Sequence, residues 1–135
     1  MTADERRQVR ARADERCEYC HMPQQDEAWS RFYVEHIVPR KHRGGDDLGN
    51  LCLCCQHCNL HKGANLSGLD PSTGQLTRLF HPREDIWEDH FSILGLEILG
   101  CTAIGRTTVE VLDMNSERRV SFRQTLREAD EEQGF

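Results

Sequence analysis

The chain has 135 residues, enough for one domain of ordinary size, and 37% hydrophobic residues give it a modest core. Its formal charge of −6 argues against tight non-specific nucleic-acid binding by the molecule as a whole. It contains neither an apolar run long enough to span a membrane nor a leader-like segment. The expected setting is therefore the cytoplasm, where paired cysteines bind metal more readily than they form disulfides.

The charge is unevenly spread. Residues 1–30 carry five arginines against seven acids, and residues 64–135 carry seven arginines against thirteen. Residues 31–63 reverse the balance, with five basic residues against three acids and four of the seven histidines. A phosphate-bearing partner is expected at this central stretch.

Thr2 with Glu5 makes a capping box and opens a predicted helix over residues 2–16. Arg6, Arg7, Arg10, Arg12 and Arg16 are spread around it, and beyond Ala3 its only apolar residues are Val9, Ala11 and Ala13. It reads as a solvated helix held by one narrow face, with contact to a nucleic-acid backbone as the functional alternative. Cys17-Glu18-Tyr19-Cys20 is a Cys-x-x-Cys turn, followed by a polar loop at 23–27. Residues 29–38, WSRFYVEHIV, are aromatic and β-branched and predict a strand. Alternation places Phe32, Val34 and His36 on one face and Tyr33, Glu35 and Ile37 on the other. Glu35 and His36 therefore share a site only if the strand ends here, as Pro39 suggests. An irregular loop with Gly44 and Gly45 follows, then a strand at 51–54. A short helix begins at Cys55 or Cys58, runs to Lys62 and is stopped by Gly63.

In the second half, Asp70-Pro71-Ser72-Thr73-Gly74 is a turn, Gln75–Phe80 a strand, and Glu84–Phe91 a short helix with Trp87 and Phe91 at i, i+4 spacing. Ile93–Leu99 is a strand or hairpin broken at Gly95, and Thr102–Met114 has helical spacing. Asn115-Ser116 caps a last helix over 117–132. Cys101 stands alone and is expected in the core. His81 and His90 are expected to be structural.

Two Cys-x-x-Cys pairs supply four thiolates, the donor set of a closed tetrahedral zinc site. The expected ligands are Cys17, Cys20, Cys55 and Cys58. Cys52 and Cys54 alternate on a strand and read as small core side chains, although Cys54, beside Cys55, leaves a register one residue earlier open.

The run from Cys17 to Gly63, with Glu35-His36-Ile37-Val38-Pro39, the glycine pair, Asn50-Leu51 and Cys55-x-x-Cys58-Asn59-x-x-Lys62, resembles the HNH endonuclease family in its four-cysteine, zinc-stapled form. The glycine pair lies one place later than the family pattern, while the spacing from His36 to Asn50 is the usual one. The second half resembles the C-terminal extension of small bacterial HNH proteins through LFHPR, Trp-x-x-His-Phe and GRTTV. The resemblance implies an α+β fold with a ββα-metal core, an N-terminal helix and a C-terminal α/β extension. Residues 1–63 would form the helix and nuclease core, and 64–135 an extension packed on it. By the same resemblance His36 is the general base, Asn50 pins the loop that aims it, and Glu35 and Asn59 hold the catalytic cation. Two oxygen donors favour a hard cation, Mg²⁺ or Mn²⁺. Lys62, three residues after Asn59, is expected to meet a phosphate oxygen, and the helix start to favour anionic phosphate. Arg40, Lys41 and Arg43 are further candidates for backbone phosphates, and His57 and His61 are reserve metal ligands.

The implied reaction is hydrolysis of a DNA phosphodiester, with double-stranded DNA as the expected substrate. The alternative from a different class is a zinc-stapled nucleic-acid or protein-binding module without catalysis.

Overall fold

The computed structural model describes residues 1–133. Helix α1 (Ala3–Arg12) starts as its capping box predicts: Thr2 Oγ1 accepts from the Glu5 amide at 3.1 Å, and the Glu5 carboxylate accepts from the Thr2 amide at 3.3 Å. It stops at Arg12 rather than Arg16 because Asp14 and Glu15 take left-handed conformations, with φ of 54° and 52°. Val9 is its buried residue. Two of its arginines are tethered: Arg10 donates to the Phe32 carbonyl and Arg12 to the carbonyls of Leu48 and Leu51. These bonds staple α1 to the strand pair that follows.

Strands β1 (Tyr33–His36) and β2 (Leu51–Cys54) pair antiparallel, with Glu35 opposite Cys52 and His36 opposite Leu51. The strand expected over 29–38 is shorter because Gln24 folds back the segment before it. Its amide nitrogen donates to Ser30 O at 2.9 Å, and its amide oxygen accepts from Phe32 N at 2.7 Å. The loop to β2 contains 3-10 turns at Arg40–His42 and Leu48–Asn50. Helix α2 (Gln56–Lys62) follows β2 directly, capped by Cys55 and ended at Gly63 with φ 51°. Strand, loop, strand, helix is the ββα-metal order within an α+β fold.

Beyond Gly63, β3 (Ser67–Leu69) and β4 (Leu76–Arg78) form a hairpin around the predicted turn. The sequence reading misses β3, which holds only three residues. Gly68 allows this hairpin to lie against α4 (Ala103–Val111), since a Cβ there would overlap the Val111 side chain. The helix expected over 84–91 is a single turn, α3 (Trp87–His90), because Phe91 opens β5 (Phe91–Leu94). β5 pairs with β6 (Glu97–Gly100) through a turn at Gly95, φ 61°. α5 (Glu117–Glu132) starts where Ser116 accepts from the Arg119 amide. Cys101 is exposed rather than in the core, because it follows the end of β6 on a short link to α4.

One hydrophobic cluster draws Val9, Tyr19, Phe32 and Leu53 together with Phe80, Leu112 and Met114. Polar contacts also cross between the halves: Trp87 Nε1 donates to Tyr19 O at 2.8 Å, and Arg119 donates to Glu27 at 2.6 Å. Among the described residues no helix is long and apolar enough to cross a membrane.

Candidate metal centre and active site

The first cysteine pair sits on a tight turn. Cys17 N donates to Met22 O at 3.0 Å, His21 N donates to Cys17 O at 2.9 Å, and His21 takes φ 65° to close it. Glu18 docks this turn on β2, its amide donating to Leu53 O at 2.9 Å and its carboxylate accepting from Leu53 N at 2.8 Å. The second pair is built by the start of α2, where Cys55 Sγ accepts from Cys58 N at 3.4 Å.

The sulfurs of Cys17, Cys20, Cys55 and Cys58 lie within 4.8 Å of one another, and all four residues are buried. Cys20 and Cys55 are 3.8 Å apart, against the ~3.8 Å edge of a tetrahedron with Zn–S bonds of about 2.3 Å. The four cysteines are thus positioned to bind a metal ion, and their number, softness and spacing fit zinc. Against burial, hydrogen bonds from Cys20, Cys54, Cys55 and Cys58 hold the Cys17 thiol well below its ordinary range, while hydrogen bonds with Cys17 and Cys20 push the Cys55 and Cys58 thiols well above theirs. Cys54 is not one of the four, which rules out the earlier register. Burial pushes the Cys52 thiol up to about 12, the mark of a core side chain.

Beside this centre, the Arg119 guanidinium lies 3.7 Å from Cys55 Sγ and is paired with Glu27. Arg119 is 64 positions from Cys55, and no local pattern in the sequence signals the contact.

The second constellation lies at the end of β1. Glu35, His36 and Asn59 line one cavity of about 220 Å³ with Pro39, Arg40 and Lys62. The strand ends at His36, and the next amide, Ile37 N, bonds to Asn50 O at 2.8 Å. That bond continues the register of the strand pair, and Glu35 and His36, neighbours of opposite face, both border the cavity at the strand's end.

Asn50 is buried, and its amide group ties the loop at three points. Oδ1 accepts from Val38 N at 2.8 Å, and Nδ2 donates to Val38 O at 2.9 Å and to Gly45 O at 2.8 Å. Gly44 belongs to the same knot, since a Cβ there would overlap the Val38 carbonyl oxygen. The loop brings Asp46 to His36: Nε2 and Asp46 Oδ1 are 2.6 Å apart, and Arg40 donates to the same carboxylate oxygen at 3.0 Å. His36, then Arg40, hold the Asp46 carboxyl below its usual range. The sequence reading passes over Asp46, and the available signal was an acid directly after the glycine pair.

One expectation is corrected. Lys62 does not project to a phosphate. It is buried and donates to Ile37 O at 2.9 Å, and burial lowers its pKa. Its length carries the ammonium under β1, where an otherwise unpaired carbonyl receives it. At the start of α2 the Cys55 sulfur caps the helix, accepting from the Cys58 amide at 3.4 Å. Arg40 is engaged by Asp46, while Lys41 and Arg43 are exposed. His57 bonds to Asp113 O at 2.8 Å and packs against the His61 ring. His81 Nδ1 accepts from Arg83 N and Glu84 N, and His90 pairs with Thr102 at 2.6 Å, so both serve local structure.

Residues 17–65 match the family model described as HNH endonuclease. No curated protein and no solved structure matches the chain. The matched segment holds both cysteine pairs, β1, the Asn50-tied loop, β2 and α2. Residues 17–65 are thus similar to HNH endonucleases, and their four cysteines and strand–loop–strand–helix order are consistent with the four-cysteine, ββα-metal type.

Proposed function

We propose that this segment is an active, metal-dependent endonuclease site hydrolysing DNA phosphodiester bonds, with His36 as general base and a zinc ion on the four cysteines as a structural staple. The observation that carries the reading is the His36–Asp46 pair, whose histidine borders the cavity shared with Glu35 and Asn59. With Nε2–H donated to Asp46, the lone pair of the neutral ring is on Nδ1, which accepts the proton of a water. The resulting hydroxide adds to phosphorus in line, the bond to the 3′ oxygen breaks, that oxygen takes a proton from a solvent water on leaving, and His36 returns its proton to solvent. The products carry 5′-phosphate and 3′-hydroxyl ends.

Glu35 and Asn59 offer the two oxygen donors for the catalytic cation, which fit Mg²⁺ or Mn²⁺ better than a soft metal. When bound there, such a cation supplies charge stabilisation for the phosphate and the leaving oxygen. Asn50 positions the loop that delivers Asp46, and Lys62 supports β1 from beneath. The expected substrate is double-stranded DNA and the expected setting the cytoplasm, where the thiols stay reduced.

The second reading is a zinc-stapled nucleic-acid or protein-binding module without catalysis, favoured by the charge of −6 and by the inward turn of Lys62. Plasmid nicking in Mg²⁺ or Mn²⁺, compared with His36→Ala, separates the two. Cleavage by the wild type that His36→Ala loses by about 10²- to 10⁴-fold supports the nuclease. A wild type that binds DNA and cuts in neither metal supports the module.

A further inference from the structure

A second and larger groove, about 760 Å³, opens between α1 and β1. Arg6, Arg7, Arg10 and Arg31 line it, and its inner end is formed by Glu35 and His36. The same two residues border the smaller cavity with Asn59. Both spaces therefore border the end of β1.

The charge in this groove is unbalanced. Arg6 and Arg10 lie one helical turn apart on the same face of α1, with Arg31 nearby on the approach to β1. Among the described residues Arg6, Arg10 and Arg31 make no ion pair, and Arg7 is held only by the exposed Asp4 at 3.3 Å. After burial, repulsion from Arg31 is the next influence that lowers the Arg10 pKa, in keeping with like charges close together. Arg10 anchors the wall through Phe32 O, and its other terminal nitrogen, Nη1, is buried without a partner. Tyr33, 40% exposed, adds an aromatic surface to the same groove. In a protein of net charge −6, clustered guanidinium groups without carboxylate partners raise the local positive potential and fit a polyanion.

We propose that the groove between α1 and β1 carries the phosphate backbone of the DNA strand that enters the Glu35–His36 site, with Arg6 and Arg31 as its principal phosphate contacts. The proposal rests on the nuclease reading for the identity of the strand, and on the groove alone for the binding. Arg10 has the different task of fixing the wall that presents Arg6 and Arg31.

The test uses the full chain in a His36→Ala background, so that the duplex stays intact, and fluorescence anisotropy of a labelled DNA duplex across a salt series. Arg6→Gln with Arg31→Gln is compared with Arg16→Gln with Arg127→Gln, which makes the same charge change away from the groove. The groove variant is expected to lose affinity by about 10-fold or more, and its log K against log[salt] slope to flatten by about 1.4 to 1.8, the value for two lost phosphate contacts. The control variant is expected to keep the parent slope. Equal zinc content and equal circular dichroism confirm that both variants are folded. A groove variant with parent affinity and slope overturns the proposal, as does a parent that binds no duplex. If groove binding is as expected but protein with His36 intact cuts in no divalent metal, the groove stands and the nuclease reading falls.

Discussion

His36 and Asp46 stand ten positions apart in the chain and 2.6 Å apart in space, joined through Nε2 and Oδ1. A carboxylate on one ring nitrogen fixes the tautomer and orientation of the other, as in carboxylate–histidine pairs generally. Asp46→Asn keeps the shape but lets the amide donate as well as accept, so the ring is free to present the wrong tautomer. We predict that Asp46→Asn lowers the single-turnover nicking rate by about 10- to 10³-fold, with zinc content unchanged. Wild-type rates for both Asp46→Asn and Asp46→Ala would remove Asp46 from the site's machinery.

The metal centre gives a prediction that does not depend on catalysis. The purified protein should hold about one zinc per chain, and Cys20→Ser or Cys58→Ser should unfold it, because metal binding is part of the folding free energy. Cys54→Ser should retain its zinc, since Cys54 is outside the four-sulfur group, whereas Cys55→Ser should not. Metal analysis of the two variants checks this. Equal zinc loss in both would place Cys54 among the ligands.

Asn50 ties both ends of the loop, and its side chain is satisfied entirely within the protein. Asn50→Ala leaves Val38 N, Val38 O and Gly45 O without their partner; the half-buried Val38 groups bear most of the cost, at most about 1–3 kcal/mol each, while Gly45 is exposed and reaches water. The loop around Val38 to Asp46 should therefore exchange its amide hydrogens faster, and His36 should lose Asp46. Hydrogen exchange is the direct readout, with faster exchange of Val38 N and loss of nicking expected together. Normal exchange in Asn50→Ala would show that Gly44 and the 3-10 turns hold the loop without it.

The parts of the molecule legible in the sequence are those fixed by local chemistry. Thr2 with Glu5 and Ser116 each mark a helix start, and Gly95 marks a hairpin turn, because one or two residues suffice. The cysteine spacing identified the four-sulfur group for the same reason. Readings failed where a side chain found a distant partner. Lys62 looked available to phosphate until Ile37 O claimed it, and Arg12 looked solvated until the Leu48 and Leu51 carbonyls received it. Asp46 and Arg119 acquire their roles only through the loop and helix packing that bring them to His36 and Cys55.

Acid pH should weaken the clamp between the β3–β4 turn and α4. The Arg106 guanidinium, with the Ser72 amide, holds the Asp70 carboxyl down to about 2. Because this pKa is depressed, the contribution is complete above the unfolded carboxyl value of ~3.9 and is lost as pH falls toward 2. The difference in urea midpoint between wild type and Asp70→Asn should therefore hold steady from neutral pH down to about 5 and shrink below about 4. The comparison is read at each pH where metal analysis shows that both proteins keep their zinc, since loss of zinc unfolds either one. A difference that shrank already between pH 7 and 5 would assign the effect to another group.

The last prediction concerns how α5 is held against the metal centre. Arg119 and Glu27 are buried, 8% and 3% exposed, and bonded at 2.6 Å, while the other arm of Arg119 reaches Cys55 Sγ. A guanidinium at that place offsets part of the negative charge of a four-thiolate zinc centre, as hydrogen-bond donors around metal ligands do. Arg119→Met leaves Glu27 as an uncompensated buried charge and Cys55 without its donor, and should cost about 3–5 kcal/mol. Glu27→Gln removes only one partner of the guanidinium, which keeps Cys55, and should cost less. In the double variant the stranded charge is gone, so its loss of stability should fall below the sum of the single losses. Urea unfolding of the four proteins completes the cycle, and a zinc-release assay with a thiol-reactive reagent adds an independent readout. Arg119→Met should release zinc faster than wild type, whereas Glu27→Gln should stay close to wild type. Equal release from both single variants would mean that Arg119 acts only through its pair with Glu27 and not on the metal ligand.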